Sequence, residues 1–190
     1  PEPIDTGEPE RVARAVETLG LKYVVITSVD RDDVKDGGAS IFAETVRLTH
    51  ARVPGCRVEV LIPDFKGEAD PLYAVLDAQP DVLNHNTETV PRLYRMARSG
   101  GRYVRTLELL ERSRAYAPHI PTKTGLMVGL GEEREELLQV FKDLRHVDCQ
   151  ILTLGQYLRP TAAHAPMARY YHPVEFRELK QIALDMGFVH

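Results

Sequence analysis

Cysteine is scarce in these 190 residues, with only Cys56 and Cys149 present. The two lie far apart and form no CxxC pair, which excludes a disulfide framework and a structural zinc site and leaves two reduced, buried thiols as the expectation. Long apolar runs are also missing. Stretches such as Tyr23 to Thr27 and Leu126 to Leu130 are far too short to cross a bilayer, and no basic-then-apolar signal pattern opens the chain. A cytoplasmic protein with no membrane partner is expected. Charge of one sign is not in excess. A net charge of −4, with 43% hydrophobic and 27% charged residues, describes a soluble globular chain with no surface for a polyanion, so no nucleic-acid partner is expected. Finally, there is no Ser-His-Asp arrangement with a nucleophile elbow, no GxxxxGK[ST], and no GxGxxG opening a helix after the first strand. Acyl transfer, phosphoryl transfer and nicotinamide chemistry all lose ground.

What is present is a regular alternation. A helix from Pro9 to Gly20 carries Val12, Val16 and Leu19 on one face, with Pro9 in its first turn and Gly20 as its stop. The run Lys22 to Val29 then reads as a strand covered on both faces. Helices follow at 39–51, 70–78, 90–98, 104–117, 132–146 and 173–186. Strands follow at 57–62, 81–86, 122–130 and 150–158. Five strands alternating with helices call for a parallel sheet with right-handed crossovers, either an open doubly wound sheet or part of a β/α barrel. In both, ligands sit at the carboxyl ends of the strands. The length suits one domain spanning residues 1–190. The chain opens Pro1-Glu-Pro-Ile4 without methionine and closes at Phe188-Val-His190, which reads as the start of another strand, so an excerpt from a longer protein is expected.

The strand ends are polar where packing would not choose polarity. The first ends in Thr27-Ser-Val-Asp-Arg-Asp-Asp33 and leads to Asp36-Gly-Gly38; the second ends in Pro63-Asp-Phe65 and the third in Asn84-His-Asn-Thr-Glu88. The fourth is Lys123-Thr-Gly-Leu-Met-Val-Gly-Leu-Gly-Glu132, in which Gly125, Gly129 and Gly131 remove side chains that would keep a ligand from the backbone. Glu132 begins a run of negative charge suited to the positive end of a helix. The fifth ends in Gly155-Gln-Tyr-Leu-Arg-Pro160.

Each cluster also has a plainer reading. Asp30, Asp32 and Asp33 suit a solvated loop; a calcium loop starting at Asp32 fails, because Val34 and Ala43 fall where oxygen ligands are needed. Asn84 and Asn86 suit turns, and alternation turns His85 away from both, toward packing. His164 and His172 lack the spacing of a zinc helix and read as surface residues. As recognition groups, Thr27, Ser28 and Asp30 can take an ammonium or hydroxyl donor, and Asn84, Asn86 and Glu88 suit vicinal hydroxyls such as those of a ribose. Each neutral contact is worth about 1 kcal/mol net and a charge-assisted one about 1.5–3 kcal/mol.

Together these segments, with Leu152-Thr-Leu-Gly-Gln-Tyr-Leu158, closely resemble the lipoyl synthase family of radical S-adenosylmethionine (SAM) enzymes, over essentially the whole chain and in the family's order. The resemblance implies a partial (β/α)6 TIM-like barrel of the radical SAM type, with the first strand missing, that holds SAM and a [4Fe-4S] cluster in its mouth. By similarity, Thr27, Ser28 and Asp30 lie near the methionine moiety, and Asn84, Asn86 and Glu88 near the ribose. Lys123 belongs to the matching fourth strand, on which Gly125, Met127, Gly129 and Glu132 fit the G-x-I-x-G-x-x-E pattern, with Met for Ile. Gln156, Tyr157 and Leu158 would flank the adenine.

The implied reaction inserts two sulfurs at C6 and C8 of a protein-bound octanoyl-lysine. A 5′-deoxyadenosyl radical from reductive cleavage of SAM abstracts hydrogen, and a second [4Fe-4S] cluster is the sulfur source. Implied partners are octanoylated carrier domains, namely the E2 subunits of 2-oxoacid dehydrogenases and the glycine cleavage H protein, with an electron donor such as ferredoxin or flavodoxin. One departure is large. The family's CxxxCxxC and its auxiliary cluster ligands do not occur here, and Cys56 and Cys149 match neither set, so this chain alone is expected to hold no cluster. The alternative reading is a non-catalytic SAM- or nucleotide-binding module.

Overall fold

The structure, a computed structural model, describes residues 3–98 and 100–190; Pro1, Glu2 and Ser99 lie outside the described residues. The chain forms two compact units, Pro1–Asn84 with Ala115–Pro121, and His85–Arg114 with Thr122–His190.

The first unit contains α1 (Glu8–Leu19), β1 (Tyr23–Thr27), α2 (Ala39–Arg52), β2 (Arg57–Leu61), α3 (Ala69–Asp77) and β3 (Val82–Asn84). Helix α1 stops at Gly20, whose φ of 62° is the left-handed turn that glycine adopts without strain. Its buried stripe is Pro9, Ala13 and Val16 rather than Val12, Val16 and Leu19. At 100° per residue the packed face is rotated by roughly 60° from the apolar one, with Val16 common to both, and Leu19 is 69% exposed. The strands are parallel, β1 pairing with β2 from Tyr23↔Arg57 to Thr27↔Leu61, and β2 with β3 from Glu59↔Val82 to Leu61↔Asn84. Val46, Val58, Val60, Leu72, Val75 and Leu76 form the fully buried core between strands and helices. Burial of one such side chain stabilises by about 1.5–3 kcal/mol.

Strand β1 corrects a sequence expectation. It alternates instead of being covered on both faces, with Tyr23, Val25 and Thr27 exposed, because among the described residues it pairs only with β2.

The second unit contains α4 (Tyr94–Ala97), most of α5 (Tyr103–Tyr116), β4 (Thr122–Val128), α6 (Arg134–His146), β5 (Ile151–Gln156) and α7 (Pro173–Asp185). The single helix expected over 90–98 is instead a 3₁₀ turn, Pro91–Leu93, followed by the one turn of α4. β4 and β5 run parallel from Lys123↔Ile151 to Val128↔Gln156. Leu137, Val140, Phe141 and Leu144 bury one face of α6, and Phe188 meets Phe141 edge-on at 6.1 Å. Beyond α7, Val189 and His190 hydrogen-bond to Gln150 and Leu152 along β5, as the strand-like end of the sequence suggested. No helix among the described residues is long and apolar enough to cross a membrane.

Candidate functional site

In the first unit, the end of β1 offers unengaged polar groups. Thr27 and Asp30 are exposed and their side chains have no partner among the described residues, while Ser28 donates only to the neighbouring Val29 carbonyl, at 3.0 Å. The other acids of the loop are engaged. Arg31 grips Asp33 at 2.9 Å and holds its carboxyl below the usual carboxylate range, Asp32 lies 3.6 Å from Lys66, and Asp36 takes the Gly38 and Ser40 amides at the start of α2. Of the acidic run, Asp30 alone stays available. A cavity of about 260 Å³ lies beside this strand end, lined by Ile26, Thr27, Ser28, Val29 and Arg31 among others.

The unit's third strand ends at Asn84, 6% exposed. Its Nδ2 donates to Glu59 Oε1 at 2.7 Å, and its Oδ1, though buried, has no hydrogen-bond partner. Tyr23 donates to the other Glu59 oxygen at 2.5 Å, and burial, reinforced by that carboxylate, pushes the phenol up, so it stays protonated and donating. Glu59 was missed at the sequence level, although a carboxylate between Val58 and Val60 in an apolar strand was a legible signal.

In the second unit, the segment after β3 lies along β4. Glu88, with φ of 71°, donates its N–H to Gly125 O at 2.9 Å and accepts from Met127 N at 2.7 Å. Arg98 holds the Asn86 carbonyl at 2.8 Å, and Thr87 is tied to Thr124 and Tyr94. His85 is 1% exposed with Nε2 3.3 Å from the Thr106 hydroxyl, packed as alternation indicated. Lys123, Gly125 and Met127 share the half-exposed face of β4. At Gly125 a Cβ would come within 2.8 Å of Asn86 Oδ1 and 3.3 Å of Thr153 Oγ1, so glycine is what lets the Asn86 side chain lie over this strand.

The turn after β4 is built differently from its sequence reading. Glu132 does not begin α6; Glu133 is the N-cap, in a reciprocal capping box with Glu136. The Glu132 carboxylate folds back onto the amides of Gly129, at 2.7 Å, and Leu130, at 2.9 Å. The Tyr171 phenol is pushed up to about 12 by burial and then by this carboxylate.

Opposite the turn runs a strap, residues 165–171. Ala168 N donates to Gly129 O at 2.7 Å, Gln156 Nε2 donates to the Arg169 carbonyl at 3.1 Å, Gln156 Oε1 accepts from Tyr171 N at 2.9 Å, and Tyr157 Oη donates to Ala165 O at 2.8 Å. Leu158 is 63% exposed. His164 is exposed beside Thr161, and His172 caps α7 by accepting from Val174 N. The strap carries no motif, and nothing in its sequence signalled these contacts.

Cys56 and Cys149 are free and buried, and burial pushes the Cys149 thiol up to about 12. Each precedes its strand, β2 or β5, at the amino end, away from the strand ends just described. No three His, Cys, Asp or Glu side chains among the described residues are grouped to hold a metal. The donors present do not fit an iron–sulfur cluster. Within the first unit, a buried amide oxygen without a partner and an available carboxylate and hydroxyl fit a polar, hydroxyl-bearing ligand; within the second, glycine clears a strand face.

A family described as the Radical SAM superfamily matches residues 1–144. Among curated proteins, the chain is 60% identical over all its 190 residues to lipoyl synthase of Koribacter versatilis, covering 62% of that protein, and 54% identical to lipoyl synthase of Rubrobacter xylanophilus, covering 59%. The chain thus spans about three-fifths of the length of these relatives. Among solved structures, Streptococcus suis SuiB superposes with a TM-score of 0.65 over 95% of this chain and 40% of its own, at 9% identity, which shows a shared fold alone.

Proposed function

The chain belongs to the radical SAM superfamily, and from that premise we propose that it is the SAM-binding core of a lipoyl synthase, which inserts two sulfur atoms at C6 and C8 of an octanoyl-lysine. The observation that carries this reading is the 54–60% identity to lipoyl synthases over all 190 residues of the chain. In this proposal the enzyme works in the cytoplasm on octanoylated carrier domains, with electrons from a ferredoxin- or flavodoxin-type donor.

Asp30, Thr27 and Ser28 receive the ammonium and hydrogen-bonding groups of the methionine moiety, since Asp30 is the one acid of its loop without a competing partner. Asn84, Asn86 and Glu88 are assigned to the ribose. Lys123, Gly125 and Met127 form the wall of β4, and Gln156, Tyr157 and Leu158 flank the base. Gly129 and Glu132 act by fixing the turn, because the Glu132 oxygens are already committed to backbone amides. When bound, SAM supplies the means to abstract a hydrogen atom from an unactivated carbon; these residues bind, orient and shield it. No step is assigned here to an iron–sulfur cluster, since the described residues provide no fitting ligands.

The test is anaerobic reconstitution of the full-length protein that contains this chain, followed by assay for 5′-deoxyadenosine and a lipoylated carrier domain. Both products are expected. Failure to form either, despite incorporated clusters and bound SAM, sinks the proposal.

A further inference from the structure

Asn84 ends a strand of three residues, and the terminal torsion of an asparagine is broad, so an amide left to itself would present oxygen and nitrogen alternately. Here it is not left to itself. Its Nδ2 lies 2.7 Å from Glu59 Oε1, and the second Glu59 oxygen is occupied by the Tyr23 hydroxyl at 2.5 Å. A carboxylate that accepts from both sides can face only the amide's NH2, so the Asn84 orientation is determined by the network and not by choice of assignment. The backbone is fixed as well, since Ile62 N donates to Asn84 O at 2.9 Å. What remains is Asn84 Oδ1, buried and without a partner. A buried acceptor left unmatched costs about 1–3 kcal/mol, a cost that a ligand hydroxyl donor removes on binding.

We propose that Glu59 is a positioning residue that locks the Asn84 amide with its oxygen presented as an acceptor for a ribose hydroxyl of the bound nucleoside, with Tyr23 holding the carboxylate in place. Tyr23, Glu59 and Asn84 come from β1, β2 and β3 in turn, so one short chain of hydrogen bonds ties all three strands of the first unit to one contact. This rests on the reading of SAM as the ligand. Its specific content is that Glu59 acts through Asn84 and through a hydroxyl, not through charge or general stability.

The experiment measures equilibrium binding of SAM, and of its 2′,3′-dideoxyribose analogue, to the full-length protein, alongside Asn84 side-chain amide exchange by NMR without ligand. Glu59→Ala should weaken SAM binding about five- to tenfold, the loss expected for one misdirected hydrogen bond. It should leave the dideoxy analogue within about twofold, and add less than about twofold in an Asn84→Ala background. Glu59→Gln, whose amide oxygen still accepts from Asn84, should retain binding within about threefold. If the Glu59→Ala loss adds in full to that of Asn84→Ala, or falls equally on the dideoxy analogue, the proposal is overturned. Should Glu59→Ala not fold, Glu59→Leu in the same cycle serves as the second variant. Binding of SAM no tighter than of the dideoxy analogue by the native protein would instead remove the ribose contact. The amide then decides the positioning claim: slow exchange that becomes fast in the Glu59 variants supports it, and fast exchange in the native protein overturns it.

Discussion

The ends of β1 and β4 both carry motif residues, but they spend them differently. At β1, Thr27 and Asp30 have no partner among the described residues, and Ser28 bonds only its neighbour. After β4, Glu132 is committed to two backbone amides, and Gln156 to the strap through both its oxygen and its nitrogen. The first region is available for a ligand; the second is already satisfied and contributes shape. A sequence motif therefore marks two kinds of residue, those left free and those that hold the fold, and only hydrogen-bond accounting separates them.

The sharpest way to break this distinction is at Gly129. A Cβ there would sit 2.3 Å from Gln156 Nε2 and 2.6 Å from the Arg169 carbonyl, at a φ of 102°. Gly129→Ala should therefore destabilise the protein by about 3 kcal/mol. Thermal unfolding should record a drop of roughly 6–12 °C; a change under 2 °C would mean that the turn and strap are not rigidly packed.

Next in size is Glu132. Glu132→Ala leaves two buried amides without their acceptor and should cost about 2 kcal/mol in urea unfolding, and Glu132→Gln, which keeps one carbonyl, about half that. A loss of SAM binding at unchanged stability would instead make Glu132 a ligand contact.

The smallest effect concerns pH. Arg169 and the His172 amide hold the Glu175 carboxyl down to about 2, from an ordinary value of 4.5. A folded-state value below the unfolded one means that the stabilisation is complete above pH 4.5 and is lost as pH falls through about 2. Because Glu175 is partly exposed, with its side chain at 32%, and pairs with Arg169 of the strap, its effect is local. An NMR titration of Glu175 should show a midpoint that returns toward 4.5 in Arg169→Ala; an unmoved midpoint would show that Arg169 is not its cause.

Much of the fold was legible because its signals are local. β-branched runs gave the strands, and Pro and Gly gave the helix limits at α1 and α7 to within a residue or two. The exposed face of β1 was not legible, because whether a strand is covered depends on which strand lies beside it, a non-local fact. Glu132 was read as a helix start because it precedes a charged run; the decisive contact, three residues back to Gly129, depends on a turn geometry that only the backbone reveals. Gln156 meets Arg169, thirteen residues away, through a chain segment with no motif at all. Glu59 is the opposite case. A lone carboxylate in a valine strand was visible, and it was passed over because it matched no pattern.

The central claim is that the β1 end contacts the ligand while contributing little to stability, and Asp30 tests it most directly. SAM binding to the full-length protein carrying Asp30→Asn should be weaker by about 10- to 100-fold, the range for one charge-assisted hydrogen bond. The unfolding temperature should stay within about 2 °C of the native value, as for an exposed side chain without partners. Unchanged affinity would contradict the account, and so would a fall in stability large enough to explain the lost binding.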